Sequence, residues 1–583
     1  MKKKTGILAG IRKYGHSYFP QLIIAIVLAA LGSITTIIGP NQLSKITNLI
    51  AKGLRGSVDV NHVMKIVIIL AIIYGAGALM SYGQGFLMAN VSQNFTRDLR
   101  AKISQKINHL PISYYDKHDE GDTLSRVTND LDTFGQALNQ SLGTLISSVV
   151  LIVGTIVMMS VTNWILSLTA IVSAVIGMIG TILLMQHSQK YFNQQQNNLA
   201  AVSGYVEETY TGHQVVKTYN NTENARKEFS NRNEKLATSV WKSQFISGIM
   251  QPLMNFIGNF GYVAVSVVGA LLVLNNTISI GVVVAFMVYV RIFTQPLSQV
   301  TQAFASLQSA QAGLYRVLEF LEEPEDTDND HATNELTDTG GRIEFDHVSF
   351  GYQKDTPIIK DFNAVVEPGQ KVAIVGPTGS GKTTLISLLM GFYPLNSGAI
   401  KIDGQDIRTV TKESIREQFD MVLQDAWLFE DTVMNNLKYN HPEIDDRRVI
   451  EAAQAVGIDH FIRTLPQGYN TVLDDSVTLS VGQKQLMTIA RALVRNRPML
   501  ILDEATSSVD TRTEEQLQKA MDILTKGRTS LVIAHRLSTI KNADKIIVLK
   551  DGQILETGNH DELMSQNGFY ANLYNSQFES LTA

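Results

Sequence analysis

Long apolar runs alternate with long polar stretches through the first half of the chain. Six runs are almost free of formal charge: near Gln21–Leu43, Val63–Met88, Leu142–Met159, Ile165–Met185, Phe245–Leu274 and Ile278–Val300. A bilayer core about 30 Å thick takes roughly 20 helical residues. Six runs of this length and charge poverty therefore predict membrane-spanning helices rather than core helices of a soluble protein. The connections near Val161–Trp164 and Asn275–Thr277 are very short, whereas Ala89–Ser141 and Gln186–Gln244 are long, polar and rich in helix formers. Beyond Arg342 the pattern changes. Arg342–Phe350 alternates like a strand, and short apolar strands then recur among mixed, soluble-type sequence.

Charge orients the spans. Arg97, Arg100, Lys102, Arg226, Lys227 and Arg232 lie on the two long stretches, so the positive-inside rule places both in the cytoplasm with Lys2–Lys4. Lys45, Lys52 and Arg55 on the first external connection run against that rule and are outnumbered. The N-terminal Met1–Lys4 resembles the start of a signal peptide, but the apolar run begins late, near Gln21, and exceeds the usual h-region. It reads as a retained first span. Ile7–Phe19 reads either as a short amphipathic helix on the membrane surface or as a plain hydrophilic tail.

At 583 residues the chain exceeds one ordinary domain, and 45% hydrophobic against 18% charged residues is charge-poor for a soluble protein. The net charge of −5 gives no sign of nucleic-acid binding. The absence of cysteine removes disulfides, thiolate metal sites and a cysteine nucleophile together. An acidic, polar stretch ending in Gly340 and Gly341 reads as a linker. This gives three parts: residues 1–321 as a six-span helical transmembrane domain with cytoplasmic extensions, 322–341 as the linker, and 342–583 as an α/β domain.

Arg291 falls well inside the sixth run. A central arginine costs about 2.5 to 3.5 kcal/mol on translocon scales, which the surrounding apolar residues offset. Either it faces a water-filled cavity and meets substrate or a carboxylate, or the helix runs on into the cytosol and Arg291 snorkels to the inner boundary. The following Gln295-Pro296 step is a candidate bend. No continuous polar stripe along several spans accompanies Arg291.

The chemistry concentrates in Gly376, Pro377, Thr378, Gly379, Ser380, Gly381, Lys382 and Thr383, which fit G-x-x-x-x-G-K-[ST] between an apolar strand at 371–375 and a helix beginning near Thr384. Glycines let backbone N–H groups approach phosphate oxygens. The helix N-terminus favours negative charge, Lys382 reaches terminal phosphates, and the Thr383 hydroxyl suits Mg²⁺. The strand at 499–502 ends in Asp503 and Glu504, a Walker B pattern in which Asp503 holds Mg²⁺ and Glu504 orients or deprotonates water. Gln424 ends a short apolar run within reach of metal or water. His535 ends another, and Tyr352 follows a strand where it can stack on a base.

In their order along the chain, Tyr352, Gly376–Thr383, Gln424, Leu479–Gln483, Asp503-Glu504, Ser507–Asp510 and His535 resemble the ATPase domain of ABC transporters. With six spans before it, the whole chain is similar to a half-transporter of the multidrug-type ABC exporters. The resemblance implies ATP and Mg²⁺ as cofactors, a catalytic role for Glu504, His535 and Gln424, and metal contacts from Thr383, Gln424 and Asp503. It places Tyr352, Gly376–Thr384, Ser480, Gly482, Gln483 and Asp510 around nucleotide. Residues 114–126 and 207–217 resemble the family's cytoplasmic loops, whose short coupling helices rest on ATPase domains. Here the expected contact segments are Ile112–Lys117 and Tyr210–Val216. Two ATPase domains close head to tail in the family, so a second half-transporter chain is needed.

The signature loop departs from Leu-Ser-Gly-Gly-Gln: Val481 stands where glycine is expected, and Val472–Ser476 departs from Val-Gly-Glu-x-Gly. A β-branched valine neither adopts positive φ readily nor lets the backbone come close to a phosphate. The weakened signature serves the partner's glycine loop, so the resemblance points to a heterodimer. Its partner would have an intact signature and a degenerate Walker B glutamate or switch histidine. The expected activity is ATP-driven export of small amphipathic compounds, drugs or lipids, across the cytoplasmic membrane by a multi-pass protein with cytoplasmic N-terminus and ATPase domain. Alternatives are an ATP-gated channel or regulatory assembly, and a homodimeric lipid or peptide exporter. Without a preceding domain or any cysteine, a peptide exporter carrying its own cysteine protease is not expected.

Overall fold

The computed structural model describes residues 14–53, 57–328, 332, 334–337, 339–353, 356–474, 477–503, 511–534 and 537–578. The chain divides into two units: Met1–Asn108 with Asp119–Glu323, and His109–His118 with Pro324–Ala583.

In the first unit six long helices carry the six apolar runs: α1 (Phe19–Gly53), α2 (Val60–His109), α3 (Leu142–Thr162), α4 (Trp164–Thr211), α5 (Thr222–Leu274) and α6 (Ile280–Leu321). Over the described residues, five helices are long and apolar enough to cross a membrane, and the apolar part of α4, Trp164–Gly180, is shorter. The polar stretches between spans are largely the same helices continued: α2 runs for 50 residues, α4 for 48 and α5 for 53. Asn163 starts α4 by accepting a hydrogen bond from the Leu166 backbone N–H, and Gly212 ends it. Pro296 sits inside α6, which continues through it to Leu321. Most of the Ile7–Phe19 segment lies outside the described residues; His16–Tyr18 form one 3₁₀ turn.

Phe286, Tyr289 and Val290 of α6 pack with Met159, Leu166, Ala170 and Val265 in one buried cluster. Lipid tails are as apolar as these side chains, so close van der Waals contact holds such a cluster rather than escape from water. Two of the short helices in the cytoplasmic connections overlap the expected contact segments. Ile112–Tyr115 belongs to the second unit, with Tyr114 buried. His213–Thr218 has no buried residue, and Tyr210, Val215 and Tyr219 around it are exposed.

The second unit is built on two sheets from strands β1 (Ile343–Phe350), β2 (Ile359–Val366), β3 (Lys371–Val375), β4 (Ser397–Ile402), β5 (Gln405–Asp406), β6 (Phe419–Val422), β7 (Met499–Asp503), β8 (Thr529–Ile533), β9 (Lys545–Lys550) and β10 (Gln553–Gly558). Their orders are β2-β1-β4-β5 and β10-β9-β3-β8-β7-β6. In the larger sheet β3, β6, β7, β8 and β9 run parallel, and β10 closes the edge antiparallel. Parallel strands are covered on both faces, which is why β8 and the inner part of β9 are buried throughout. Helix α7 (Lys382–Leu389) leaves the loop after β3, and α8 (Val481–Arg495) precedes β7.

Candidate functional site

In an open parallel sheet, ligands bind beyond the carboxyl ends of the strands. β3 ends at Val375 and β7 at Asp503, and β8 lies between them. The loop from Gly376 to Gly381 bridges β3 and α7. Ile358, Thr378, Gly379, Gly381, Lys382, Thr383, Thr384, Gln424 and Asp503 line one cleft of about 480 Å³ here. The three expected metal contacts, Thr383, Gln424 and Asp503, therefore share a wall although far apart in sequence.

The loop's backbone needs two of its glycines for different reasons. Gly379 has φ of 82°, in the left-handed region, with open space where a side chain would stand. At Gly376 a Cβ would lie 2.2 Å from the carbonyl oxygen of Leu549 in β9, so only glycine lets the loop leave β3 beside its neighbour. Lys382, the first residue of α7, is buried. Its Nζ donates to the carbonyl oxygens of Gly376 (2.8 Å) and Pro377 (3.0 Å). Burial pushes the Lys382 ammonium below its ordinary pKa, against the opposing pull of the Asp503 carboxylate.

The buried Ser380 hydroxyl has no hydrogen-bond partner among the described residues. An orphaned donor in a glycine cradle that opens onto a lysine fits a phosphate chain. A threonine hydroxyl, a glutamine and a single aspartate are oxygen donors of the kind Mg²⁺ takes together with phosphate oxygens and water. No group of three His, Cys, Asp or Glu residues able to hold a metal exists among the described residues.

Tyr352 stands beside this cleft, half exposed, its hydroxyl 3.4 Å from Thr384 Oγ1. Its ring meets Phe350 and Tyr393 edge-on, each at 5.0 Å between centroids. Tyr393, which the sequence reading did not single out, donates a hydrogen bond to the Asp116 carboxylate on the segment after α2. Another anchor of that segment is Asp326, whose backbone N–H donates to His109 O at 2.7 Å while Lys412 and Arg416 hold its carboxylate. Burial raises the Asp326 pKa and those cations lower it by more, leaving it below the ordinary value.

The signature segment is a well-made helix start. Ser480 caps α8 by accepting from the Gln483 N–H (3.2 Å), and the Gln483 side chain accepts from the Ser480 N–H (2.9 Å). This corrects the expectation of backbone strain at Val481. Ser480, at ψ 158°, makes the turn, so Val481 is already helical and needs no positive φ. What remains is steric: the Val481 isopropyl group projects from the helix N-terminus, 56% exposed, while Gly482 is buried. Glu504, Ser507–Asp510 and His535 lie outside the described residues, as do Asp475 and Ser476.

Comparison with known proteins accounts for this combination. Residues 22–297 match the ABC transporter transmembrane region, and residues 359–507 match the ABC transporter ATPase family. The chain belongs to the ABC transporters, as a multi-pass membrane protein of the exporter type whose cytoplasmic ATPase domain binds ATP with Mg²⁺ and couples its hydrolysis to transport. It is 43% identical over 514 residues to a fatty acid ABC transporter ATP-binding/permease protein of Mycobacterium bovis, covering 88% of this chain and 81% of that protein. It is 38% identical over 580 residues to an uncharacterized ABC transporter ATP-binding protein of Bacillus subtilis, covering 99% and 95%. An ATP-dependent lipid A-core flippase of Syntrophus aciditrophicus is 35% identical over 512 residues, covering 88% and 85%.

Proposed function

We propose that this chain moves an amphipathic, lipid-like compound across the cytoplasmic membrane as one half of a dimeric exporter. Hydrolysis occurs on its own glycine loop and Walker B strand. The observation that carries this is the shared cleft of Lys382, Thr383, Gln424 and Asp503, in a chain whose other half is six apolar helices. The names of its relatives, a fatty acid transporter and a lipid A-core flippase, support a lipid-like cargo.

Lys382 neutralises phosphate charge at the helix N-terminus, and the loop N–H groups with the Ser380 hydroxyl hold the phosphate chain. Thr383, Gln424 and Asp503 would hold Mg²⁺, which would supply charge neutralisation for phosphoryl transfer. Tyr352 stacks on the base. Glu504 positions the attacking water, His535 contacts the terminal phosphate, and Asp510 is a further nucleotide-binding residue, roles that rest on the motif matches in the sequence. Ser480, Gly482 and Gln483 face nucleotide held by the second chain. That chain is a different half-transporter, because the Val481 side chain occupies space where a glycine would leave the helix N-terminus open to phosphate.

The test is the dimer in proteoliposomes, read by ATP hydrolysis and by movement of labelled lipid between leaflets. Glu504→Gln is expected to lower turnover by about 10²–10⁴-fold, the contribution of a positioned base, while ATP still binds. Lipid movement should stop with it. Near-normal turnover in that variant would remove the role given to Glu504, and ATP hydrolysis without any lipid movement would remove the export reading.

A further inference from the structure

We propose that the ATPase domain carries a second anion site, for a small soluble phosphate compound, at the end of its larger sheet opposite the nucleotide cleft. The site goes beyond the export reading and does not depend on it.

Position comes first. Asp420 is the second residue of β6, Arg497 lies two residues before β7, and Arg528 immediately precedes β8. These strands run parallel, so all three residues sit at their amino ends, whereas the nucleotide cleft lies beyond the carboxyl ends. The five residues of β7 hold the two ends about 13 Å apart, at roughly 3.3 Å per step. Arg495 is the last residue of α8. Arg448 arrives on the first turn of the helix Asp446–Ala455, whose cap is Asp445. Arg448, Arg495 and Arg497 line one cavity of about 420 Å³ with His441, Glu443 and Asp445, a size at which small molecules are bound.

Charge comes next. Four guanidiniums gather here on few acceptors. The buried Asp420 carboxylate pairs with Arg528 at 3.2 Å, stands 3.7 Å from Arg495 and accepts the Arg497 backbone N–H at 2.9 Å. The other carboxylates are engaged as well. Glu443 bonds His441 Nδ1 at 2.9 Å, and Asp445 accepts from the Arg447 backbone N–H. Among the described residues no carboxylate pairs with the side chain of Arg448 or Arg497, and the enclosed Nε–H groups of Arg495 and Arg497 have no acceptor. Arg448 donates to the Arg495 carbonyl oxygen at a long 3.4 Å. Burial lowers the Arg528 pKa, and the Arg448 charge lowers it further against the pull of Asp420, so these cations act on one another.

The chemistry follows. Enclosed donors without acceptors and crowded like charges both cost free energy. A phosphate answers both, because its several oxygens accept from guanidinium forks while its charge offsets theirs. Apart from Ile444 the wall is polar, which suits a soluble compound rather than an acyl chain. Glu443 and Asp445 on the same wall repel an anion long enough to reach them, which favours a compact one. An occupant held between Arg448 and Arg497 ties the helix Asp446–Ala455 to the sheet beside the end of α8, the helix that begins at the signature Ser480.

The chain has no cysteine, so a single introduced one can carry a fluorophore at a chosen place. Glu451 is exposed and lies three residues beyond Arg448, on the same helix face. The experiment uses the full-length protein in nanodiscs with labelled Glu451→Cys, in a Lys382→Ala background that disables the glycine loop. It is titrated with pyrophosphate at constant ionic strength. A saturable change in emission is expected. Its half-point should rise about tenfold in Arg448→Gln and again in Arg497→Gln, the loss of one charge-assisted hydrogen-bonded pair in each. Arg448→Lys should keep part of the affinity. Arg448 is exposed, so its substitution decides the matter even if melting temperatures show that Arg497→Gln is poorly folded. No saturable change, an unchanged half-point in Arg448→Gln, or an equal response to chloride overturns the proposal. So does a response that appears only when Lys382 is restored, since it then belongs to the glycine loop. Each of these outcomes leaves export standing.

Discussion

Burial acts on Lys382 before any nucleotide arrives. Its pKa is lowered in the free protein because the side chain is enclosed by the loop it bonds to. A phosphate beside the ammonium favours the charged form and raises that pKa, so binding takes up a proton in the window between the two values. Nucleotide affinity is then full below the free-state pKa and falls as pH rises through it, at lower pH than an ordinary lysine would allow. Titration with a fluorescent ATP analogue, from neutral pH up through the ordinary lysine pKa of about 10.4, checks this; an affinity that stays flat until the ordinary lysine value is reached contradicts it. The two glycines of the same loop separate backbone from packing. Gly379→Ala meets open space and pays only for a left-handed φ, about 1–2 kcal/mol or roughly 5–30-fold in nucleotide affinity. Gly376→Ala collides with the Leu549 backbone, so it should lower the melting temperature of the ATPase domain as well. Equal melting temperatures for the two variants would count against that distinction.

At the scale of elements, the hydrogen bond from Tyr393 to Asp116 joins the ring cluster at Tyr352 to the segment that follows α2. Tyr393→Phe keeps the ring against Tyr352 and removes only the hydroxyl. ATP binding should stay near normal while lipid moved per ATP hydrolysed declines, and Asp116→Asn should do the same. Because both changes delete one bond, the double variant should be no worse than either single, which a double-mutant cycle measures. Full additivity would mean the bond carries no coupling. Much of this architecture is legible in the sequence, since apolar runs long enough for a bilayer and a glycine loop between strand and helix are local patterns. The expected contact segment Ile112–Lys117 is found as the helix Ile112–Tyr115. Tyr393 was not legible: an aromatic after a helix has no distinguishing spacing, and its partners Tyr352 and Asp116 are brought to it only by the fold. At Val481 the sequence misled, because the motif suggests a special backbone where the Ser480 cap already makes the turn.

For the whole molecule, the chain has one glycine loop and one signature helix, and the proposal assigns them to two different interfaces of a dimer. The Val481 isopropyl group then damages only the site built on the second chain's glycine loop. In a heterodimer, Glu504→Gln in this chain should remove almost all turnover, because the other site is slow from the start. Val481→Gly in this chain should do the opposite and raise turnover, by opening the N-terminus of α8 to phosphate at that other site. A homodimer behaves otherwise, since Val481 then faces both competent sites and the same change alters all of the activity. Native mass spectrometry of the protein expressed alone and with a second half-transporter distinguishes the two assemblies, with ATPase rates measured on each. This chain alone should give little turnover, and the mixed dimer should restore it. A stable homodimer with full lipid-stimulated turnover, unchanged by Val481→Gly, would mean that valine at the helix start is simply tolerated: the Ser480–Gln483 cap would then be all that the signature needs to hold its place.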